Sequence, residues 1–565
     1  MNKFENFIFS ILDTPLKKKR VLQATVALFV LALLMFPTKI VLAKMLPGKS
    51  DNTFSVYIDA PSGTSLAQTQ EISQCVIDEL KNEPEILNME LFLSGGIPLD
   101  YAGLVKGSGM KSSENLAELA VNLTSKHERD ETSFQMVHRI RPIVKQKCEP
   151  LVERTSIKFI EQPAGPPTMA SIVVEVYSDD VKKIREVSKD VIKILSKTEG
   201  LVDVDIVGDK IFKKYQLVSD KDRIARSGLS VDQVNKILYL AFEGMVVGHK
   251  NTKDYSDQIP IFLVLDKESK IISREDEYAL RSKLSSLQLM NSQGMLVSLS
   301  ELVDIKKVDS SPTIMHKNLA RMQNVIAETD EVSQVYPLLD ARSQMIDYFS
   351  KDYEVTKEPG MSTYMFDLHL KDKKTGEEVL LRWDGEMKVT LDTFRDLGSA
   401  FIAALILIFL LLVVYYKSFK LSGIVLLGSF LSIIGVIFGH LVADIVTTDT
   451  FFLTATSLIG FIALMGISSR NSLLLIDFAK SLMVDKGIEK RRAIAIAAAT
   501  RAKPIALTAV AIILGSALLA SDPIFGGLGV ALISGTVAAV FVSLLFIPIL
   551  MDGSDAMDFD TQEEA

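Results

Sequence analysis

Residues 454–478 read TATSLIGFIALMGISSRNSLLLIDF. About 20 apolar residues suffice for a helix to cross the roughly 30 Å of bilayer hydrocarbon, so this run predicts a spanning helix. Arg470 lies inside it, about nine residues from the end that leads into Lys480, hence roughly 13 Å deep at 1.5 Å per residue. A charge at that depth costs about 3 kcal/mol on insertion scales. Such a residue is expected to face the interior of a helix bundle and to have a partner there. Asp477 shares its face but sits about two turns nearer the aqueous edge, where an interfacial role is expected. His440 and Asp444 fall near the opposite edge, where solvated roles are expected. Thr508, one turn into the next helix, is placed to supply a hydroxyl, and Arg501 with Lys503 marks that helix's aqueous end. No buried carboxylate is in view for Arg470, so its anion is expected from another chain.

Working outward, the apolar residues cluster in 21–43 and again from 398 to 551. Polar breaks divide the second cluster into spans near 397–416, 421–443, 451–479, 504–520 and 525–550. The first run follows Lys17, Lys18, Lys19 and Arg20, lies far from Met1 and lacks a small-residue cleavage site, so an uncleaved anchor is expected rather than a signal peptide. The plan is one helix, a loop of about 350 residues, and five helices. Lys17–Arg20, Lys417 and Lys420, and the loop with Lys486, Lys490, Arg491 and Arg492 fall on one side, while 444–450 and 521–524 hold no Lys or Arg. The positive-inside rule then makes both termini cytoplasmic and the long loop external.

Composition agrees with a polytopic membrane protein carrying a large aqueous domain. Over 565 residues, 48% are hydrophobic and 23% charged, with a mean hydropathy of +0.26, which excludes a disordered chain. The net charge of −8, from 62 basic and 70 acidic residues, argues against a nucleic-acid partner, which needs a basic face. Cys75 and Cys148 are too few for a disulfide scaffold or a cysteine zinc site; a single bridge between them in an oxidising compartment is left open. The six histidines (127, 138, 249, 316, 369 and 440) show no H-x-x-x-H pairing, so no metal site is expected. Neither a P-loop nor a G-x-S-x-G elbow is present, so no enzyme chemistry and no cofactor are expected.

The external segment alternates short β-like runs with helical ones. Phe54–Asp59, Leu87–Leu93 and Ser156–Glu161 read as strands, with helices at Ser65–Lys81 and 133–147. After the linker Pro163–Pro167 the pattern returns, with strands Ser171–Tyr177 and Val202–Val207 about a helix at Asp179–Lys197. Tandem βαβ units suggest split-βαβ, ferredoxin-like subdomains within an α+β membrane protein. A more β-rich insert is expected at about 212–308, with 312–390 completing the second unit. Gly95 to Gly109 predicts a mobile surface or gating loop, and its apolar residues Ile97, Leu99, Tyr101 and Leu104 are candidate substrate-path residues.

Five stretches carry a resemblance: KMLPGKSDNTFSVYIDAPSGTSLAQT at 44–69, DGEMKVT-x-x-x-FRDLG at 384–398, residues 454–478, TRAKPIALTA at 500–509 and DPIFGGLG at 522–529. Together they resemble resistance–nodulation–division (RND) efflux permeases, and only the C-terminal half of that duplicated family, as if Met1 began its second repeat. The resemblance implies a cytoplasmic N-terminus at 1–20, a first transmembrane helix at 21–43, and a porter subdomain at 44–167. It further implies a second porter subdomain at 168–211 and 309–393, a docking-like subdomain at 212–308, a five-helix bundle at 394–551, and an acidic tail at 552–565. It implies a proton antiporter driven by the proton gradient, in the bacterial inner membrane, with the large loop periplasmic. Arg470 resembles the basic residue that pairs with the family's proton-carrying aspartates, which belong to the other repeat; Asn471, Thr508 and Arg501 match its polar relay positions. The implied partners are an N-terminal-half chain supplying those aspartates, pairs assembled as trimers, a periplasmic adaptor and an outer-membrane channel, with hydrophobic or amphiphilic cargo. Two alternatives stand beside it: a Sec-type protein-export accessory subunit of the same superfamily, and a non-transporting scaffold or orphaned half.

Overall fold

Helix α1 (Lys3–Asp13) buries Ile8, Ile11 and Leu12 against the membrane bundle. Thr14 and Pro15 then open α2 (Pro15–Leu34). The computed structural model describes residues 3–557 except 49, 164, 209, 210, 254, 266–276, 331, 359–363, 448 and 449. Most of the expected acidic tail, 558–565, lies outside the described residues. The first apolar run differs from expectation: its helix stops at Leu34 rather than continuing to 43. Pro37 is the physical reason, since proline donates no N–H and its ring crowds the carbonyl four residues back.

The first sheet comprises β1 (Thr53–Asp59), β2 (Ile86–Leu93), β3 (Leu116–Leu123) and β4 (Ser156–Glu161), in the antiparallel order β2-β3-β1-β4. Helix α3 (Leu66–Leu80) joins β1 to β2, and α4 (Ser133–Cys148) joins β3 to β4. Both start at a reciprocal capping box, Ser65 with Gln68 and Thr132 with Gln135, which satisfies two of the free N–H groups at each helix start. The central strand β1 is buried along its length, so Phe54, Val56 and Ile58 form a continuous core with Ile72, Val76 and Met136. A disulfide joins Cys75 of α3 to Cys148 of α4, with 5.7 Å between Cα atoms.

The second sheet draws on β5 (Ile172–Tyr177), β6 (Leu201–Ile206), β7 (Ala320–Thr329), β8 (Tyr353–Lys357), β9 (Leu368–Asp372) and β10 (Glu378–Asp384). Its order is β6-β7-β5-β10-β9-β8, a seventh short strand, Met315–Lys317, also pairs with β7, and every pair is antiparallel. Helices α5 (Val181–Leu195) and α6 (Val335–Phe349) cover it, burying Val187, Val191, Leu338 and Met345 against Val174, Val325 and Trp383.

Among the described residues five helices are long and apolar enough to cross a membrane: α7 (Glu386–Tyr416), α8 (Phe419–Val446), α9 (Ala455–Val484), α10 (Lys490–Ala520) and α11 (Gly526–Gly553). By the same measure α2 is not among them. Helix α7 runs straight out of the second sheet. Gly385 takes a left-handed φ of 81°, and a side chain there would strike the Ala170 carbonyl. The amides of Glu386 and Met387 donate to Ala170 and Ser171 (3.1 and 3.2 Å), and Met387 is buried in the sheet's core. The first sheet is tied to the bundle as well. Lys44 and Leu453 amides donate to Leu453 and Leu42 carbonyls, and the Ala455 amide to Met45 (3.1, 2.8 and 3.0 Å).

A separate compact unit comprises residues Asp209–Thr313. Its described residues pair Lys213–Ser219 with Val303–Asp309, Gln288–Met290 with Leu296–Ser298, and Met245–Lys250 with Ile259–Leu263. Helices including Val231–Phe242 and Glu277–Ser286 supply Val234 and Leu284 to a small core with Ile224 and Leu299. The unit is therefore mixed rather than predominantly β.

Candidate functional site

Helix α9 begins at a capping box, Thr454 with Ser457. The Ser457 hydroxyl also meets His440 Nε2 of α8 at 2.8 Å, and His440 Nδ1 lies 2.8 Å from the Val436 carbonyl. His440 is fully buried, which corrects the expected solvated role. The end of α8 packs beside the start of α9, and a buried imidazole in that position needs both ring nitrogens bonded. Asp444 instead accepts the Phe451 amide at 2.7 Å. Deeper in the span, Ser429 and Ser469 hydroxyls pair at 2.9 Å, and Ser468, Asn471 and Ser472 are buried beside them.

Arg470 points the other way. It falls at the midpoint of α9 and is exposed, on a stripe with Ile459, Ala463, Gly466 and Leu474. Those spacings of three and four keep the residues on one helix face. The expectation that Arg470 faces the interior of this bundle is thus corrected. Inward positions on α9 are filled by serines, Asn471 and apolar residues packed on α8 and α11. Among the described residues Arg470 has no ion-pair partner. Thr508 is also exposed. Its hydroxyl is given to the Pro504 and Ile505 carbonyls of its own helix (3.1 and 2.9 Å), not to Arg470. Arg501 is half-buried, with its guanidinium 4.9 Å from the centre of the Phe478 ring and its Nε buried without a hydrogen bond. Asp477 accepts the Tyr415 hydroxyl of α7 at 2.9 Å. Asn471 and Arg470 are neighbours in sequence, yet one turns in and the other out.

The glycine-rich loop is stitched down rather than free. Ser108 donates to Glu118 at 2.7 Å, the Ile97 amide reaches the same carboxylate at 3.3 Å, and Gly103 donates to Asp100 at 2.6 Å. Ile97 and Tyr101 line a cleft of about 680 Å³ with Asp51, Asp100 and Gln162. Leu99 and Leu104 are not on its wall; they are exposed, at 61% and 64%.

A smaller cavity of about 150 Å³ lies between the two sheet subdomains, lined by Lys44, Lys106, Arg141, Glu161, Glu328 and Glu386. Arg141, 5% exposed, pairs with Asp330 and lies 3.5 Å from Asp203 and 4.0 Å from Glu161. Lys106 pairs with Glu328, and Lys158 with Asp205 at 2.9 Å. Burial pushes the Glu161 carboxyl up to about 7, against the pull of Arg141 and Lys44. The 32% of its side chain that stays open faces the confined cavity. Burial also acts to raise Glu328, but Lys106 and Ser171 outweigh it and hold that carboxyl below its ordinary range. Sequence reasoning missed this cluster. The signal was Arg141, a charge on the helical row of Val137, Val144 and Cys148, where the period calls for apolar residues. Among the described residues no group of three or more His, Cys, Asp or Glu could hold a metal ion.

The model of the AcrB/AcrD/AcrF family matches residues 2–351 and 365–551. The chain belongs to that family. As an AcrB/AcrD/AcrF-family chain of RND permease type, it is similar to the swarming motility protein SwrC of Bacillus subtilis (strain 168), 24% identical over 387 residues, covering 67% of this chain and 32% of SwrC. It is similar to the multidrug resistance protein MdtC of Photorhabdus laumondii, 23% identical over 489 residues, covering 85% of this chain and 42% of MdtC. In fold it matches a crystal structure of a heavy metal efflux pump with a TM-score of 0.72 at 19% identity, over 97% of this chain and 51% of that one. The family chain thus spans about a third to a half of the relatives it matches.

Proposed function

We propose that this chain is one half of a split, proton-driven efflux permease, working with a second chain that carries the proton-binding carboxylates. The observation that carries this reading is Arg470, a cation at mid-span on an uncovered helix face. The apolar stretches of α7 and α10 are also largely open, with 6% and 17% of their residues buried against 50–56% in the other three. An uncovered cation in hydrocarbon is costly; a companion bundle bringing an acidic residue to this face removes that cost.

In this reading Arg470, Asn471, Thr508 and Arg501 line the proton path. Protonating the companion's carboxylate cancels its attraction to Arg470, and the helices move to a second packing. One proton crossing 100 mV supplies about 2.3 kcal/mol, enough to bias a two-state packing. The movement reaches the sheets through two links. Helix α7 is continuous with the second sheet, and the backbone bonds from Leu42–Met45 to Leu453–Ala455 couple α9 to the first. With α2 as a further span, both termini are cytoplasmic, on the Lys17–Arg20 side, and the sheets periplasmic, in an inner membrane. Residues 44–167 and 168–211 with 309–393 act as porter subdomains, and 212–308 docks towards an outer-membrane channel through an adaptor, three pairs forming the assembly. The cleft walled by Ile97 and Tyr101, with Leu99 and Leu104 exposed nearby, supports hydrophobic or amphiphilic cargo, as does the multidrug naming of MdtC.

The test is co-purification of the tagged chain from its native membrane, with mass spectrometry of what accompanies it. An N-terminal-half permease chain in equal amount is expected. Recovery of this chain alone, as a stable homo-oligomer, overturns the split pump.

A further inference from the structure

A groove of about 650 Å³ opens on the outside of the bundle between α2, α8 and α11, at the end that carries Lys17–Arg20. Its walls are apolar: Leu22 from α2, Ile424 and Leu427 from α8, Ile549 and Leu550 from α11. Gly423 keeps it open, since a side chain there would meet nothing within 4 Å. The rim is charged and carries both signs, Lys18 and Lys420 with Asp552 and Asp555.

Lys18 pairs with Asp552, which Arg491 also holds at 3.2 Å, and the Asp552 side chain is only 6% exposed, so this pair is closed. The Lys420–Asp555 pair, at 2.5 Å, is open to solvent, with 64% and 70% of the two side chains exposed. An exposed ion pair of this kind is worth about 0–1 kcal/mol, so a ligand bearing both charges can insert between its members at little cost. The apolar walls at the membrane boundary suit an acyl chain, and the rim suits a headgroup. An anionic headgroup alone would answer Lys420 and meet the Asp555 carboxylate. A primary ammonium answers that carboxylate with three N–H donors, which a quaternary choline lacks.

We propose that this groove is a binding site for an ethanolamine phospholipid, its phosphate at Lys420, its ammonium at Asp555, and one acyl chain along Leu22, Ile424 and Ile549. The site is complete within this chain and does not depend on a companion half.

The test is reconstitution of the full chain into nanodiscs of equal parts ethanolamine, choline and glycerol phospholipids, followed by native mass spectrometry of the lipids it retains on release. Ethanolamine lipid is expected to be enriched about fivefold over choline lipid, the scale of one charged contact at a membrane surface. Gly423→Phe, which fills the groove, should return the ratio to that of the bulk. Asp555→Asn, at an exposed position that leaves the packing intact, should lower the enrichment while retaining the bound chain. Wild-type retention at the bulk ratio, preference for the glycerol lipid, or an enrichment that survives both variants each overturns the proposal.

Discussion

A guanidinium at the centre of a thirty-residue apolar helix sets the demands on everything around it. Replacing Arg470 with Leu removes a penalty of about 3 kcal/mol for placing a cation at mid-membrane. In a translocon insertion assay of this helix, R470L should therefore raise the inserted fraction. On the proposed split-pump reading, the same change should abolish transport without lowering the amount of protein in the membrane. An inserted fraction that does not change would mean that the guanidinium already escapes to the headgroups along its own side chain. The depth of Arg470 was legible in the sequence, because hydropathy alone locates the span. Its direction was not. Apolar residues occupy every side of α9, so no periodicity separates the face packed on α8 and α11 from the face left open. His440 was misread for a related reason, since distance from the end of a span does not reveal which neighbouring helix covers it.

At the scale of elements, close backbone approach helps to hold the bundle beside its clusters of large side chains. A side chain at Gly435 of α8 would collide with the Ser534 carbonyl and the Ala538 methyl of α11, and one at Gly439 with the Ser534 hydroxyl. Small residues at such crossings let helices pack where lipid offers no hydrophobic driving force. Gly435→Leu should cost about 1–3 kcal/mol through overpacking, read as a lower midpoint in detergent-induced unfolding; an unchanged midpoint would show that the two helices separate freely. Most strands and helices of the sheets could be read from alternation and caps, as Ser65 and Thr132 show. Strand β3 (LAELAVNL) was missed because Glu118 interrupts its apolar pattern. That carboxylate is buried and held by Ser108 and the Ile97 amide, contacts made by a loop distant from any sequence window. The premature end of α2 was visible in Pro37, but the apolar run on either side of it outweighed the breaker.

Across the whole molecule, the two sheet subdomains meet through pairs sorted by sign. Lys106, Arg141, Lys145 and Lys158 of the first face Glu328, Asp330, Asp203 and Asp205 of the second. Glu161 sits among them with its pKa raised from 4.5 to about 7. Folded, this carboxyl holds its proton more tightly than when unfolded, so the proton's contribution to stability is complete below pH 4.5 and drains away as the pH rises to about 7. Glu161→Gln should remove that slope and melt above the wild type at pH 8. Trp383, the single tryptophan, is buried in the second sheet and reports the transition by fluorescence; an unchanged slope in the variant would assign the pH dependence elsewhere. The bridge between α3 and α4 carries a consequence for biogenesis. Both of its cysteines precede residue 149, whereas among the described residues the five helices long and apolar enough to cross a membrane begin at Glu386 or later. On an oxidising side of the membrane, the first subdomain can close its crosslink while the ribosome is still making the rest. A covalently finished module then precedes the five-helix bundle on which it will pack, and a chain whose thiols fail to join can be recognised by quality control before any of those five helices is synthesised.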